Sequence, residues 1–226
     1  MLAAACEARA ADSVLDLGCG VGVASLCLSA RVADLRLVGV EIQAEYADLA
    51  RRNVAEAGQQ IQIVNADLNT LPADIQTRGF DHVIANPPFF RSTAGHEAPD
   101  PGRGAARHDG ATPLSAWIGT ARRRLAPKGV FTVILPAARL AELLHLLDGG
   151  FGGIAIRPIA PRAGREAGRV IVRAQKGARA PLRLLAPLIL HDGPRHLSDA
   201  EDLTDRARAI LRGGDPIPWT TIEPAV

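Results

Sequence analysis

Short apolar runs alternate with amphipathic segments through roughly the first two thirds of the chain. The runs predict buried strands, and the segments between them carry apolar residues at helical spacing. Strands that alternate with helices form a parallel sheet covered by helices on both faces. The predicted strands are Val14–Leu17, Leu35–Val40, Ile61–Ala66, His82–Ala85 and Val130–Leu135, and the predicted helices are Val23–Arg31, Ala44–Ala57, Leu114–Leu125 and Arg139–Leu147.

The pattern changes in the last third of the chain. Ile154–Ile159 and Arg169–Ala174 read as two strands joined by a short segment, which predicts a hairpin with one antiparallel edge strand. Leu182–Leu190 reads as a further extended segment. Ser198–Leu211 predicts a closing helix with Ser198 as its N-cap. The chain is therefore predicted to be an α/β protein with a mostly parallel, Rossmann-like sheet.

The most informative motif is Asn86-Pro87-Pro88-Phe89, at the carboxyl end of the fourth predicted strand. Two prolines end the strand and restrict the backbone. Because an aromatic ring stacks on a planar π-system while amide and carbonyl oxygens accept hydrogen bonds, the motif predicts a pocket for a flat amine. A plain strand-terminating turn is the alternative interpretation.

A glycine-rich turn follows the first predicted strand and contains Gly18, Gly20 and Gly22. Glycines let a ligand approach the backbone, and the helix that follows offers free N–H groups to an anion. The dinucleotide fingerprint needs a third glycine where this chain has Val23, which argues against NAD or FAD. Glu41 follows the second strand, where an acidic residue would accept the hydroxyl groups of a ribose.

Asp16, Glu41 and Asp67 end or follow three successive predicted strands. Each carboxylate alone is more often a helix cap or a loop residue. Their common position, together with the proline motif at the fourth strand, favours a ligand site at one sheet edge.

These motifs resemble class I S-adenosylmethionine-dependent methyltransferases of the branch that methylates amines with an Asn-Pro-Pro-aromatic motif. Three further segments resemble the bacterial tRNA(Val) adenine-N(6) methyltransferase family: Ser25–Leu28, Ala106–Asp109 and Pro187–Asp192. The resemblance implies seven strands, S-adenosylmethionine as cofactor and adenine in tRNA as substrate. The implied residues are Asn86, Pro87, Pro88 and Phe89 for catalysis, Asp16, Gly18, Cys19, Gly20, Gly22, Glu41, Ile42, Asp67, Leu68 and Asn86 for the cofactor, and Phe90, Arg91, Arg107 and His108 for the substrate.

Other acceptors remain open, because a glutamine side chain and the guanine amine of rRNA also present a planar NH₂ group. Release-factor methylases usually carry Asn-Pro-Pro-Tyr and a preceding helical domain, and the guanine enzymes commonly carry a duplicate domain. This chain has Phe89 and almost no sequence ahead of its first motif. A binding protein without activity is the remaining alternative, although no motif is damaged.

The segment from Arg91 to Gly110 is rich in glycine, proline and charge. A loop of this length beside a pocket predicts a lid that supplies cations to phosphates, with a solvated loop as the alternative. The triplet Arg122-Arg123-Arg124 could extend that basic surface, although a helix cannot turn all three side chains in one direction.

Composition limits the kinds of partner and the cellular location that the protein can be expected to have. The 226 residues are 47% hydrophobic and carry a formal net charge of +2, which permits nucleic acid without demanding it. Three unpaired cysteines, scattered histidines and the absence of a long apolar run predict a cytoplasmic protein with no metal and no membrane span. We expect one domain over residues 1–226, with a core at 12–176, a C-terminal extension at 177–226, and a family segment missing at the N-terminus; the oligomeric state stays open.

Overall fold

The computed structural model describes residues 1–88, 112–195 and 201–220. Its strands form one sheet in the order β3-β2-β1-β4-β5-β7-β6-β8, and the short β9 also pairs with β6. The nine strands are β1 Ser13–Leu17, β2 Arg36–Glu41, β3 Ile61–Asn65, β4 Phe80–Ala85, β5 Leu125–Pro136, β6 Phe151–Ala160, β7 Arg169–Lys176, β8 Arg183–Leu184 and β9 Leu188–Ile189.

The first five strands are parallel, as the sequence predicts. β1 is buried along its whole length, because it lies between β2 and β4 with helices on both faces. Its last residue, Leu17, pairs with Val40 on one side and with Ala85 on the other. The residues that follow these three strands therefore meet at one edge of the sheet, hereafter the carboxyl edge.

Seven α-helices lie among the described residues: α1 Leu2–Ala5, α2 Val23–Arg31, α3 Ala44–Glu56, α4 Ala73–Gln76, α5 Leu114–Arg124, α6 Leu140–Leu147 and α7 Asp205–Leu211. The helices predicted before residue 150 are confirmed to within one residue at each end. One core cluster joins α1, α2 and α3 to the sheet through residues such as Leu28 and Val54. A second cluster packs α4, α5 and α6 on the opposite face, around Phe80 and Phe131.

The antiparallel strand lies inside the sheet, so its predicted edge position is wrong. β7 pairs with β5 on one side and with β6 on the other. β6 runs parallel to β5, and β7 lies between them and runs antiparallel to both. The outer side of β6 is then covered by the two-residue strands β8 and β9, which bring the sheet from seven strands to nine.

The closing helix begins at Asp205, later than predicted, and Thr204 is its N-cap. The Thr204 hydroxyl accepts a hydrogen bond from the Ala207 N–H at 3.0 Å. Residues 201–204 are not helical, because Leu203 bridges to His191 and holds this stretch extended. The predicted cap, Ser198, lies outside the described residues.

The C-terminal tail returns to the start of the chain. The Ile217 N–H donates to the Ala4 carbonyl at 2.7 Å, and Trp219 Nε1 donates to the Ala5 carbonyl at 2.9 Å. The fully buried Arg157 of β6 donates hydrogen bonds to the carbonyls of Ala186, Pro218 and Thr220. Backbone oxygens therefore hold this cation, and burial lowers its pKa.

The described residues contain neither a membrane-spanning helix nor a metal-binding cluster. None of the helices there has the length and apolar character that crossing a membrane requires. Within the same ranges, no group of three or more His, Cys, Asp or Glu residues could hold a metal ion.

Candidate active site

The glycine turn connects β1 to α2 at the carboxyl edge. Gly18, Gly20 and Gly22 adopt φ angles of +63°, +56° and +87°, which L-residues with side chains rarely adopt. The Cys19 N–H donates to the Val40 carbonyl at 3.0 Å, so the turn is fastened to the end of β2. The turn therefore presents bare backbone beside the start of α2.

Glu41, the last residue of β2, is buried beside this turn. One carboxylate oxygen accepts the Gly20 N–H at 2.9 Å, and the other accepts the Gln43 N–H at 2.9 Å. Each oxygen keeps a second lone pair for a hydroxyl group. Ile42 follows with 58% of its surface exposed, and it places an apolar face next to the acid.

Asp67 lies after β3, one strand further along the carboxyl edge. Its Oδ1 atom accepts hydrogen bonds from the backbone and side chain of Asn69, at 2.8 and 3.0 Å. The neighbouring Asn65 side chain donates to the carbonyls of Glu41 and Ile42 at 2.9 and 3.0 Å. Leu68 is buried, and its carbonyl accepts the hydroxyl of Thr120 in α5 at 3.1 Å. The ends of β2 and β3, which lead to Glu41 and Asp67, are thereby joined.

Asp16 differs from the other two acids, because its side chain is buried beneath the turn. Only 2% of the residue is exposed, and its Oδ2 atom accepts the Ser25 hydroxyl at 2.7 Å. Burial raises the pKa of Asp16 to about 7. As placed, Asp16 joins β1 to α2 and supports the turn, while its contact with the cofactor stays a prediction.

Cys19 also turns its side chain away from the carboxyl edge. Its Sγ atom would lie only 2.8 Å from a Cβ built on Gly39 of β2, so the thiol fills the space that this glycine leaves. Burial raises the pKa of Cys19, which leaves the thiol protonated at neutral pH. Only the backbone of Cys19 is available to a ligand at the turn.

Asn86 follows β4 directly and is exposed, whereas Pro87 behind it is buried. Because Ala85 pairs with Leu17, Asn86 and Gly18 directly follow the ends of two adjacent strands, β4 and β1. The sequence predicted this juxtaposition of the proline motif and the glycine turn. The Pro88 carbonyl accepts a hydrogen bond from Arg139 Nη1 at 3.1 Å.

Five predicted site residues lie outside the described residues: Phe89, Phe90, Arg91, Arg107 and His108. The predicted lid from Arg91 to Gly110 also lies there. The basic triplet of α5 is described, and it immediately precedes the first residue of β5. It therefore lies at the amino edge of the sheet, at the opposite end of β4 from Asn86, and the basic segment that it could extend lies outside the described residues.

Two residues that sequence reasoning missed contact the motifs. The Trp117 ring of α5 lies against Gly18, where a Cβ atom would come within 2.4 Å of it. Arg139 binds the Pro88 carbonyl. No sequence pattern predicts these two contacts. A tryptophan in an amphipathic helix and an arginine after a strand are both common, and the tertiary packing determines which distant residues they contact.

Comparisons with known proteins agree with these motifs. The family model of the methyltransferase small domain matches residues 1–99. A tRNA1(Val) (adenine(37)-N6)-methyltransferase of Aeromonas hydrophila is 32% identical over 171 residues, which cover 74% of this chain and 70% of that protein. A Porphyromonas gingivalis protein of the same name is 37% identical over 133 residues, which cover 57% of this chain and 51% of that protein.

A solved structure resembles almost the whole chain. It is the crystal structure of a predicted O-methyltransferase from Agrobacterium tumefaciens, with a TM-score of 0.76 and 27% identity. The match covers 96% of each chain. The resemblance therefore extends through the C-terminal strands and beyond the region of the family model.

Proposed function

Since the chain belongs to the bacterial tRNA1(Val) (adenine(37)-N6)-methyltransferase family and is an S-adenosylmethionine-dependent methyltransferase, we propose that it methylates the exocyclic amine of an adenine in tRNA. The observation that carries this proposal is the position of Asn86. Its exposed amide stands at the end of β4, beside the glycine turn at the end of β1. A tRNA substrate would place the activity in the cytoplasm.

The carboxyl edge suits S-adenosylmethionine. Gly18, Gly20 and Gly22 would take its methionine end, because their backbone has no side chains and lies at the start of α2. The free lone pairs of Glu41 would accept the ribose hydroxyls, and exposed Ile42 would cover one face of the adenine. Asp67 and the backbone of Leu68 would contact the adenine edge. When bound, S-adenosylmethionine supplies an electrophilic methyl group on its sulfonium.

Asn86 would orient the acceptor amine. The amide oxygen of Asn86 and the carbonyl of Pro87 would accept hydrogen bonds from the NH₂ group, which turns the nitrogen lone pair toward the methyl donor. These acceptors bind the positive charge that develops on nitrogen more strongly than the neutral amine. No general base is needed first, because the proton leaves after transfer. Phe89 would stack on the base once it leaves its helix or loop.

The names of the related proteins give different acceptor atoms for the methyl group, oxygen in one case and nitrogen in the other. The Agrobacterium protein is called a predicted O-methyltransferase, and the Aeromonas protein an N6-methyltransferase. Asn86 favours nitrogen, because a bare hydroxyl offers one hydrogen where an NH₂ group offers two to paired acceptors. Arg91, Arg107 and His108 would contribute cations to the RNA phosphates.

We also infer that residues 1–226 act as one methyltransferase domain, with a core at 12–176 and an extension at 177–226. The extension supports this view through its packing, because β9 pairs with β6 and the tail bonds to Ala4 and Ala5 of α1. Limited proteolysis that leaves cofactor binding intact after loss of the extension would contradict it.

The test is methyl transfer from labelled S-adenosylmethionine to tRNA, rRNA and cell protein in parallel. We expect N6-methyladenine in tRNA and a fall in kcat of about 10²- to 10³-fold in Asn86→Ala, as for the loss of one preorganised polar group. Asn86→Asp is the matched variant, because it keeps an acceptor oxygen, and its loss should be smaller. Cofactor affinity, measured by calorimetry, should fall far less than kcat in both variants.

Each other outcome identifies a different acceptor or none. Label confined to protein would indicate glutamine methylation, and label confined to rRNA would indicate guanine methylation. Labelled tRNA with unchanged kcat in Asn86→Ala would leave the substrate in place and remove Asn86 from the mechanism.

A further inference from the structure

Arg139 connects the proline motif to the segment that follows β5. Its Nη1 atom donates to the Pro88 carbonyl at 3.1 Å. Its Nε and Nη2 atoms donate to the two carboxylate oxygens of Glu142, at 3.2 and 3.3 Å. Both side chains are mostly buried, with 17% of the Arg139 side chain and 29% of the Glu142 side chain exposed. The guanidinium is thus held on two sides.

The proline motif depends on hydrogen-bond donors from other segments, such as Arg139, to hold its backbone. Pro87 and Pro88 have no N–H, so neither residue can donate a backbone hydrogen bond to a neighbouring strand. Their carbonyl oxygens are the backbone groups through which the rest of the protein can hold them. Arg139 reaches one of these carbonyls from a strand-to-helix connection, a 3₁₀ turn at Ala137–Arg139 between β5 and α6.

Glu142 explains why the guanidinium points at the motif. The two-pronged pair with the carboxylate fixes the plane of the guanidinium, and it leaves Nη1 free to point at Pro88. A lysine at this position would keep the charge, but it could not bind both partners in a fixed plane. The position of Arg139 comes from the 3₁₀ turn, and the orientation of its guanidinium comes from Glu142 in the first turn of α6.

We propose that Arg139 is a positioning residue for methyl transfer. It holds the Pro88 carbonyl and thereby fixes Asn86 and the Pro87 carbonyl relative to the glycine turn. A small movement of Asn86 would have a large effect on methyl transfer, since a displacement of about 1 Å of a positioning group can lower a reaction rate about 10²-fold. This inference rests on the proposed function.

The test compares Arg139→Ala and Arg139→Lys with wild type on the acceptor that wild type labels. Arg124→Ala is the matched control, because Arg124 Nη1 also donates to a backbone carbonyl, that of Ile75 at 3.3 Å, and lies at the amino edge. We expect kcat to fall at least tenfold in both Arg139 variants and to stay near wild type in Arg124→Ala. Cofactor affinity and the Tm of the Arg139 variants should match those of the control.

Two further measurements separate positioning from general stability. Guanidinium added to Arg139→Ala should restore part of kcat, which a merely structural defect would not show. The double variant Arg139→Ala with Glu142→Gln should lose less kcat than the two single variants combined predict, because the two side chains form one two-pronged pair.

Three results overturn the inference. Unchanged kcat in Arg139→Ala excludes a positioning role. A raised KM for RNA with unchanged kcat assigns Arg139 to substrate binding, and a parallel loss of cofactor affinity assigns it to the glycine turn. If wild type labels rRNA or protein but not tRNA, the proposed function is contradicted, and kcat of the Arg139 variants is then measured on the acceptor that is labelled. If wild type labels no acceptor, both the proposed function and this inference are contradicted.

Discussion

The parallel half of the sheet, β1 to β5, and the C-terminal half, β6 to β9 with the tail, are held by different contacts. In the parallel half, five strands share extended ladders, and carboxylate and amide side chains such as Glu41 and Asn65 join the ends of adjacent strands. In the C-terminal half, β6 and β7 also form an extended ladder, but the outer strands β8 and β9 have two residues each. There the fully buried Arg157 donates to three backbone carbonyls, and Trp219 donates to a residue 214 positions earlier.

The two halves therefore have different roles: one carries the proposed active site, and the other completes the sheet and binds the C-terminal tail. The parallel half carries the glycine turn, Glu41, Asp67 and Asn86, so the proposed chemistry lies among the parallel strands. The C-terminal half contributes strands that complete the sheet and a tail that packs against α1. Damage to the second half should therefore lower stability first, and damage to the first half should lower cofactor binding or turnover first.

Arg157→Ala should give the largest effect on stability. The substitution leaves the carbonyls of Ala186, Pro218 and Thr220 without their donor in a buried site. We expect urea denaturation to show a loss of about 3 to 5 kcal/mol in the free energy of unfolding. Cofactor affinity of the folded variant should stay close to wild type.

Arg183→Ala is the control for that variant. Arg183 also donates to a tail carbonyl, that of Trp219 at 3.0 Å, but it lies on the exposed strand β8. Its loss should cost less than about 1 kcal/mol. Equal losses in the two variants would show that burial of the cation does not decide how the tail is attached.

Asp16→Asn should change how stability depends on pH. The folded pKa is raised from 3.8 to about 7, so between these values the folded state keeps a proton that the unfolded state has released. Wild-type stability from this group therefore falls as pH rises through that window, by at most about 1.4 kcal/mol per pH unit. The variant mimics the protonated acid, and its urea profiles should be flatter there.

Asp81→Asn gives the opposite sign at the amino edge. Hydrogen bonds from the backbone and hydroxyl of Ser13 lower the pKa of Asp81, so its contribution is present at higher pH and is lost as pH falls through its folded pKa. This variant should keep the Asp16 slope. Parallel profiles for wild type and Asp16→Asn between pH 4 and 7 would contradict a buried, proton-binding Asp16.

Gly20→Ala should have a modest effect on stability and a selective effect on cofactor binding. Gly20 has a φ of +56° and no heavy atom within 4 Å of a built Cβ, so the left-handed backbone alone costs about 1 to 2 kcal/mol. A methyl group there would face the proposed cofactor, so calorimetry should show affinity reduced at least about tenfold, or 1.4 kcal/mol.

Gly58→Ala is the matched control, since Gly58 follows α3 with a φ of +62° and equally open space. It should lose similar stability and keep wild-type cofactor affinity. Equal affinity in the two variants would remove Gly20 from the cofactor site.

Much of the parallel half was predictable from local signals. Its strands and helices came from apolar periodicity, and the meeting of Gly18 with Asn86 followed from the rule that parallel strands end at one edge. The C-terminal half was predicted less well. The interior position of β7 and the start of α7 at Asp205 depend on which strands pair, and Thr204 became the cap because Leu203 is held by His191.

By itself the sequence determined the order of elements in the parallel half, the edge at which the motifs meet and the class of chemistry. These properties follow from periodicity and from residues whose backbone or hydrogen-bonding capacity is special, such as glycine and proline. The tertiary structure alone decided that Asp16 and Cys19 turn inward, that Trp117 lies on Gly18, and that Arg139 holds Pro88. The physical reason is that side-chain direction and distant partners depend on packing, which no local pattern encodes.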